Sequence, residues 1–187
     1  MAVNADLKKA KSELRTIIRS RLATLSQQQL TVAGEHAARQ LSLIPGWDNY
    51  RSVLAFFSMK DEMDTQPLME TVLKTEKSLF VPRIEGELLV FYQINQDDKD
   101  TGRIFQTADN FPALVITPGM AFDKTLNRLG RGRGYYDRFF AALNKSGWNY
   151  TAIGLCMNCQ LVDEVPAGTW DKKMDLLLTE SGLIQFQ

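Results

Sequence analysis

The chain has 187 residues, of which 44% are hydrophobic, and this is enough for one domain with a core of its own. Its 22 basic and 22 acidic residues give a formal net charge of zero, which excludes a general attraction to nucleic acid or to an anionic membrane. No apolar run approaches the length of a transmembrane helix, and the first residues lack the apolar segment of a signal peptide. We therefore expect a single domain over residues 1–187, located in the cytoplasm, in which any anion site is local.

The N-terminal segment from Asp6 to Leu25 has apolar residues at helical spacing, which predicts an amphipathic helix. Basic residues cover its other faces: Lys8, Lys9, Lys11, Arg15, Arg19 and Arg21. Such a surface is commonly solvated, although it also suits a membrane surface, RNA or a nearby phosphate group. The pattern alone leaves these alternatives open.

Three elements are predicted in the next part of the chain. Ser26 and Gln29 have the spacing of a capping box, so we expect a second helix that ends near Gln40. The apolar run Ser52–Phe57 predicts a central strand. A third helix is expected over Thr65–Lys74, since threonine and proline open it.

Three acidic residues, Asp61, Glu62 and Asp64, lie between that strand and the third helix. Open α/β sheets bind ligands at the carboxyl ends of their strands, where this loop is expected to lie. Helix capping accounts for Asp64 equally well. Glu62 is the stronger ligand-binding candidate because capping does not explain it.

Two further strands are predicted at Ser78–Pro82 and Leu88–Tyr92. Arg83 would lie at the carboxyl end of the first strand and face the same edge of the sheet. The polar stretch from Asn95 to Pro112 predicts a long surface loop with little structure of its own.

The segment after residue 113 combines a strand, a cationic loop and a helix. The apolar run Leu114–Ile116 predicts a buried strand, which should end at the proline and glycine of residues 117–119. Tyr135–Lys145 predicts a helix. Glycines alternate with arginines in the loop between them, at Gly130, Arg131, Gly132, Arg133 and Gly134.

This glycine–arginine loop has the chemistry of a triphosphate site. Glycines let backbone N–H groups converge on an anion, a helix N-terminus adds partial positive charge, and arginines donate to phosphate oxygens. Asp137 in the first helical turn is a candidate ligand for a magnesium ion carried by the phosphates. The alternative is a flexible loop with solvated arginines. The sequence is neither a Walker A motif nor a dinucleotide fingerprint.

The two cysteines, Cys156 and Cys159, form a CxxC motif. A structural zinc site needs four ligands, but there is no second CxxC and the single histidine, His36, is distant in sequence. A redox pair or half of a zinc site is thus less favoured than two incidental, reduced thiols.

The last predicted strands are Tyr150–Leu155 and Leu176–Thr179, with Asp175 at the start of the second. Strands and helices therefore alternate along the chain. This order predicts an α/β fold with three layers, in which a mostly parallel sheet carries helices on both faces.

Five segments, spread over almost the whole chain, resemble those of the 5-formyltetrahydrofolate cyclo-ligase family, also called 5,10-methenyltetrahydrofolate synthetases. The most specific is PGMAFDKTLNRLGRGRGYYDRFF at residues 118–140. The others are KSELR at 11–15, FSMKDEMDT at 57–65, VPR at 81–83 and KKMDLLL at 172–178, in the family's order and spacing.

The resemblance implies an enzyme of one-carbon metabolism that uses ATP and Mg2+ to convert 5-formyltetrahydrofolate into 5,10-methenyltetrahydrofolate, releasing ADP and phosphate. In the family, the formyl oxygen attacks the γ-phosphate and N10 then closes the ring. The implied partners are small molecules, namely ATP and a reduced folate with or without a polyglutamate tail. A monomer is expected, without nucleic acid or membrane partners.

The resemblance also implies a site shared by both substrates and magnesium. It assigns ATP binding to Lys11, Arg15, Arg128, Leu129, Gly130, Arg131, Gly132, Arg133, Gly134, Tyr135 and Tyr136. It assigns folate binding to Arg15, Phe57, Glu62, Arg131, Gly132, Arg133, Gly134 and Tyr135. Arg131 and Arg133 would act catalytically by neutralising charge on the transferred phosphoryl group, and Asp137 and Asp175 would bind magnesium.

Two positions depart from the family pattern. Many relatives have lysine or glycine at Arg133, and many have glycine at Leu126, where leucine leaves the backbone less free.

Two other classes of function remain as alternatives. One is a non-catalytic nucleotide- or RNA-binding module, and the other is a sugar-phosphate isomerase, which a chain with one histidine disfavours.

Overall fold

The computed structural model describes residues 2–97, 100–105, 110–168 and 171–184, with side chains from residue 5 onward. Within these residues it has four α-helices: α1 (Ala2–Leu22), α2 (Gln27–Gln40), α3 (Gln66–Leu73) and α4 (Tyr135–Ser146). Its strands are β1 (Ser52–Leu54), β2 (Ser78–Glu85), β3 (Leu88–Ile94), β4 (Asp100–Ile104), β5 (Ala113–Pro118), β6 (Ala121–Asp123), β7 (Arg128–Leu129), β8 (Tyr150–Leu155), β9 (Leu161–Val162), β10 (Leu176–Thr179) and β11 (Gly182–Ile184).

The main sheet has eight described strands in the order β11-β10-β8-β5-β1-β2-β3-β4. The five central strands, from β10 to β2, run parallel. The outer strands β11, β3 and β4 pair antiparallel to their neighbours. A small second sheet joins β7, β6 and β9. The predicted α/β fold with a mostly parallel sheet is confirmed.

Successive residues of the central strands pack on opposite faces of the sheet. Val53 and Leu114 belong to a core shared with α1, α2 and α3, whereas Leu54 and Val115 belong to a core shared with α4. Because helices cover both faces, these strands are apolar throughout rather than alternating. The second core is largely aromatic and includes Phe80, Phe91, Phe105, Phe111, Phe122 and Phe140.

The capping box predicted for the second helix is present. The Ser26 hydroxyl accepts from the Gln29 backbone N–H at 3.2 Å, and the Gln29 side chain accepts from the Ser26 backbone N–H at 2.8 Å. This box satisfies two N–H groups that the helix itself leaves unpaired. The second helix therefore begins where the sequence predicted.

Two sequence expectations about secondary structure need correction. The central strand predicted over Ser52–Phe57 is shorter, because only β1 pairs with both neighbouring strands. The stretch expected to be a surface loop contains β4, which extends the sheet beyond β3. Parts of that stretch, residues 98–99 and 106–109, lie outside the described residues.

No described helix combines the length and apolarity needed to cross a membrane.

The acidic loop after β1 is held from one side by α2. A Cβ added to Gly34 would lie 2.0 Å from the carbonyl oxygen of Asp64, so only glycine permits this close approach. The Asp64 backbone N–H also donates to the Leu30 carbonyl at 3.2 Å. Thr65 does not cap α3 with its side chain, since its hydroxyl donates to the Phe56 carbonyl at 2.6 Å. These contacts fix the loop that carries Glu62.

Candidate active site

A cleft of about 1030 Å³ opens where the parallel strands end. Phe56 and Phe57, which follow β1, line one side, and Pro118 and Gly119 at the end of β5 line the base. This is the position at which open α/β sheets bind their ligands. Pockets for one small ligand commonly span about 300–1000 Å³, so the cleft has room for more than one reactant.

The cleft is strongly basic although the chain is neutral. Its described lining contains three acidic residues, Glu62, Asp137 and Asp171. It contains seven basic residues: Lys8, Lys11, Arg15, Arg128, Arg131, Arg133 and Arg138. A concave surface with this excess of positive charge raises the local concentration of anions. The positive charge is therefore local, as the sequence suggested.

The glycine–arginine loop needs glycine at two points. Gly132 has a φ angle of 107° and Gly134 has one of 68°. Residues other than glycine rarely adopt such φ angles. Gly134 directly precedes α4, whose first residues, Tyr135 and Tyr136, line the cleft. The free N–H groups at the start of α4 thus lie beside the loop that carries the arginines.

The N-terminal helix α1 forms another side of the cleft. The Arg15 Nε donates to the Gly130 carbonyl at 2.9 Å, and the Lys11 Nζ donates to the Asp171 carboxylate at 2.6 Å. Burial, followed by the charge of Arg19, lowers the pKa of the Arg15 guanidinium, although Asp171 opposes the shift. Because arginine stays charged in proteins, a bound anion would stabilise the Arg15 guanidinium. One face of this basic helix therefore belongs to the cleft.

The base of the cleft is formed by Arg128, Tyr136 and Asp137, which we call the floor cluster. The Arg128 Nη2 donates to the Asp137 Oδ1 at 2.7 Å, and its Nη1 donates to the Pro118 carbonyl at 3.2 Å. The Arg128 side chain is only 4% exposed, and its guanidinium lies 5.6 Å from the Tyr136 ring centroid. Within the described part of the chain, the Arg128 Nε and the Tyr136 hydroxyl are buried without a hydrogen-bond partner.

Asp61, Glu62 and Arg131 form a second charged group, which we call the wall cluster, and of these Glu62 and Arg131 line the cleft. The Arg131 Nη2 donates to the Asp61 Oδ1 at 2.7 Å and to the Glu62 Oε1 at 2.9 Å. The Arg131 Nε also donates to the Glu62 Oε1, at 3.1 Å. Burial lowers the pKa of the Arg131 guanidinium, but the two carboxylates outweigh this and the net shift is upward. Arg131 is thus a cation that two carboxylates stabilise.

A buried carboxylate holds the turn that leads into the loop. Asp123 is 1% exposed and accepts hydrogen bonds from Thr125, Asn127 and the Val165 backbone N–H. Burial raises the pKa of Asp123, but these hydrogen bonds outweigh it and the net pKa is lowered. Leu126, in the same turn, has a φ angle of 67°, which costs a side-chain-bearing residue about 1–2 kcal/mol.

Most residues assigned to the site by resemblance line this one cleft. These are Lys11, Arg15, Phe57, Glu62, Arg128, Leu129, Gly130, Arg131, Gly132, Arg133, Gly134, Tyr135, Tyr136 and Asp137. Their roles stay predictions, since position alone does not test them. Asp175 is not among the lining residues.

Asp175 lies where β10 begins, towards the amino ends of the parallel strands. Its carboxylate accepts from the Ala152 backbone N–H at 2.7 Å and forms an ion pair with Lys172 at 3.5 Å. The structure therefore does not bring Asp175 into the cleft with Asp137. Among the described residues, no group of three or more His, Cys, Asp or Glu side chains is arranged to hold a metal ion.

Arg83 was expected at this edge of the sheet, but the structure places it elsewhere. Its neighbours Pro82 and Ile84 line the cleft, whereas the Arg83 guanidinium pairs with Asp100 at 2.6 Å. Side chains alternate between the two faces of a strand, so the residue between two cleft residues points away.

Sequence reasoning missed the apolar side of the cleft, formed by Met59, Ile84 and Leu89. Met59 and Ile84 are more than half exposed, which is unusual for large apolar side chains and suits a site for a ring-containing ligand. The signal in the sequence was the apolar face of the Ser78–Glu85 strand. Asp171 was also missed, because the residue that it pairs with, Lys11, is 160 positions away.

The two cysteines do not contribute to the cleft. Burial is the largest cause that raises the pKa of both the Cys156 and the Cys159 thiol, so neither favours a thiolate. Both are free in the structure, in agreement with the interpretation as incidental thiols.

Comparisons with known proteins give a consistent result. The model of the 5-formyltetrahydrofolate cyclo-ligase family matches residues 7–180. A 5-formyltetrahydrofolate cyclo-ligase of Escherichia coli K12 is 30% identical, covering 88% of this chain and 97% of the relative. A probable 5-formyltetrahydrofolate cyclo-ligase of Schizosaccharomyces pombe is 29% identical, covering 94% of this chain and 97% of the relative.

Solved structures support the same relationship. The NMR structure of the Aquifex aeolicus 5,10-methenyltetrahydrofolate synthetase matches with a TM-score of 0.77 and 27% identity, covering 95% of this chain and 93% of that one. A 5,10-methenyltetrahydrofolate synthetase from Mycoplasma pneumoniae matches with a TM-score of 0.72 and covers 91% of this chain and 98% of that one. At 22% identity, the second match supports the fold alone.

Proposed function

The chain belongs to the 5-formyltetrahydrofolate cyclo-ligase family, and on that premise we propose that it converts 5-formyltetrahydrofolate into 5,10-methenyltetrahydrofolate at the expense of ATP. The observation that carries the proposal is the composition of the cleft. It joins a cationic glycine–arginine loop to an apolar side that bears a nearly buried carboxylate, Glu62. The glycine–arginine loop suits a triphosphate, and the apolar side with Glu62 suits a pterin.

The proposed reaction is a dehydration in two steps. The formyl oxygen attacks the γ-phosphorus of ATP, the bond from that phosphorus to the bridging oxygen breaks, and ADP leaves. N10 then attacks the formyl carbon, the carbon–oxygen bond breaks, and phosphate leaves, while the N10 proton passes to solvent. Phosphorylation is needed because an amide oxygen is otherwise a poor leaving group.

The loop and α1 would bind and orient the triphosphate. Arg15 and the exposed Arg133 offer forked donors to phosphate oxygens, and the N–H groups at the start of α4 add donors without a charge. Lys11, held by Asp171, contributes a fixed positive charge beside them. These groups stabilise charge on the phosphoryl group rather than move protons, so no general base is required.

The opposite side would bind the folate. Glu62 presents a carboxylate to the donor-rich edge of the aminopyrimidine, while Phe57 and Tyr135 provide surface for the rings. Ile84 and Leu89 extend the apolar surface along β2 and β3. The formyl group would then lie between the two sides, next to the arginines of the loop.

Asp137 is the cleft carboxylate that fits a magnesium ion. Its hydrogen bond from Arg128 engages Oδ1, and a magnesium ion usually takes one or two protein carboxylates together with substrate phosphates. Bound there, magnesium would neutralise charge on the transferred phosphoryl group. Asp175 lies outside the cleft, so its assignment as a second ligand remains an untested prediction.

The test mixes purified protein with ATP, magnesium and 5-formyltetrahydrofolate, and follows the ultraviolet absorbance of the methenyl product. We expect product only when all components are present, with ADP formed in equal amount. Folded protein that forms no product would refute the proposal. Nucleotide binding without folate-dependent turnover, weakening steeply with salt, would instead indicate the binding-module alternative.

A further inference from the structure

Both oxygens of the Glu62 carboxylate are already engaged in the structure. Its Oε2 accepts from the Met59 backbone N–H at 2.9 Å. Its Oε1 accepts two N–H groups from Arg131, at 2.9 and 3.1 Å. A carboxylate oxygen has two lone pairs, so Oε1 is saturated by one arginine.

This pairing competes with the role proposed for Glu62. An aminopyrimidine edge recognises a carboxylate through two parallel N–H groups, one for each oxygen. Oε2 keeps one lone pair for such a donor, but Oε1 does not while Arg131 is in place. A folate that binds Glu62 must therefore displace Arg131 from it.

Asp61 determines what happens to the displaced guanidinium. The Arg131 Nη2 already donates to the Asp61 Oδ1 at 2.7 Å, the shortest contact that Arg131 makes in the wall cluster. The Asp61 side chain is 33% exposed, compared with 9% for Glu62, so it has room to follow a moving partner. A guanidinium has five donors, which allows Arg131 to keep this contact while others turn to a new acceptor.

We propose that Asp61 is a positioning residue that retains Arg131 in the cleft when the folate takes over Glu62, so that the released donors of Arg131 meet the phosphoryl group. This inference rests on the proposed function of the cleft. The structure holds Arg131 between two carboxylates, whereas a folate bound to Glu62 would leave it with one. The positive charge available to ATP therefore rises when the folate binds.

This change of partner by Arg131 makes the binding of the two substrates cooperative. A non-hydrolysable ATP analogue should bind the wild-type protein about 5–10-fold more tightly when 5-formyltetrahydrofolate is present, and the reverse must hold equally. Asp61→Asn keeps the size of the side chain but weakens its hold on Arg131. We expect this variant to lose most of the coupling, to lower kcat about tenfold and to raise the KM for the folate at saturating ATP by about the 5–10-fold that the coupling contributed.

Three measurements test the inference: kcat with both KM values, the affinity of the ATP analogue with and without folate, and the melting temperature. Asp61→Glu should recover much of kcat and of the coupling, because it restores the charge. Asp48→Asn is the matched control, since Asp48 is exposed on a 3-10 turn outside the cleft. We expect the control to match wild type in every measurement.

The inference is wrong if Asp61→Asn keeps the wild-type kcat and coupling. It is also wrong if Asp61→Asn loses activity together with several degrees of melting temperature, because Asp61 would then act only in folding. Wild-type protein that forms no methenyl product refutes the proposed function instead. The two failures are distinguished because the first requires an active wild type.

Discussion

The floor cluster and the wall cluster each pair an arginine with a carboxylate, but they bury the arginine to different degrees. The Arg128 side chain is 4% exposed and the Arg131 side chain is 33% exposed. Separating the floor pair is costly, since the buried Arg128 guanidinium would be left without a partner. In the wall cluster, Arg131 and Asp61 are both 33% exposed, so their pair can rearrange at little cost, although Glu62 is 9% exposed. The floor is thus suited to fixing geometry, and the wall is suited to changing partners during turnover.

The comparison predicts opposite consequences for the two arginines, although they are only three positions apart. Substitutions in the wall should reduce turnover far more than stability. Substitutions in the floor should reduce stability first. The following experiments test this division, starting with the largest expected effect.

Replacing Arg131 by alanine should lower kcat/KM about 10³-fold, because a charge-stabilising donor is lost where negative charge develops on the phosphoryl group. The melting temperature should fall by about 2–4 °C, since Asp61 is partly exposed and the nearly buried Glu62 keeps its hydrogen bond from the Met59 backbone N–H. Initial rates and a thermal melt measure both quantities. Arg39→Ala is a suitable control, because Arg39 forms an exposed pair with Glu35 on α2. A large loss of melting temperature with nearly normal kcat/KM would contradict the comparison.

Replacing Arg128 by methionine should lower the free energy of unfolding by about 3 kcal/mol, because the charged hydrogen bonds to Asp137 and to the Pro118 carbonyl are both lost. Methionine keeps most of the length and packing of the side chain. Denaturant titration measures the loss. The double variant Arg128→Met/Asp137→Asn should recover part of it, since no unpaired charge remains. Wild-type stability in the single variant would show that the floor cluster is not structural.

Asp123 holds the turn of the backbone that precedes both Arg128 and Arg131, so its substitution should also affect stability. Its folded pKa is depressed, so its contribution to stability is complete above the unfolded value of about 4 and is lost as the pH falls through the folded value. Asp123→Asn should lower the free energy of unfolding by about 2 kcal/mol at pH 7, because an NH2 group then meets backbone donors. The difference from wild type should narrow below about pH 4. A constant difference from pH 7 to pH 3 would show that the charge of Asp123 is not involved.

Much of the fold followed from local patterns. The capping box of Ser26, the apolar strand β8 and the glycine-rich start of α4 are encoded by neighbouring residues, and each was predicted correctly. The strand β4 was missed because it is polar and exposed and so lacks the apolar pattern that predicts a strand. The resemblance to a known family assigned a role to Lys11, whereas Glu62 was already a candidate from its position after a predicted strand.

The difference between the two clusters could not be predicted in the same way. Arg128, in β7, and Arg131, in the loop that follows it, are the same residue type, and only the folded chain buries the first against Pro118 and Asp137. The pairing of Lys11 with Asp171 joins distant parts of the chain for the same reason. Asp175 shows the converse, since a matching motif did not reveal that its strand starts away from the cleft.

Arg133 gives the smallest expected effect and sharpens the division within the loop itself. It is exposed, and no carboxylate among the described residues lies within ion-pair distance of its side chain, so it needs no release before it meets a phosphate. Arg133→Ala should lower kcat/KM about tenfold without changing the melting temperature, whereas Arg133→Lys should keep most of the activity. Rates are measured for both Arg133 variants and for Arg131→Ala. This compares Arg133, which has no carboxylate partner among the described residues, with Arg131, which two carboxylates hold. If both alanine variants lose activity equally, the pairing of Arg131 with Asp61 and Glu62 has no part in turnover, and charge alone accounts for the loop.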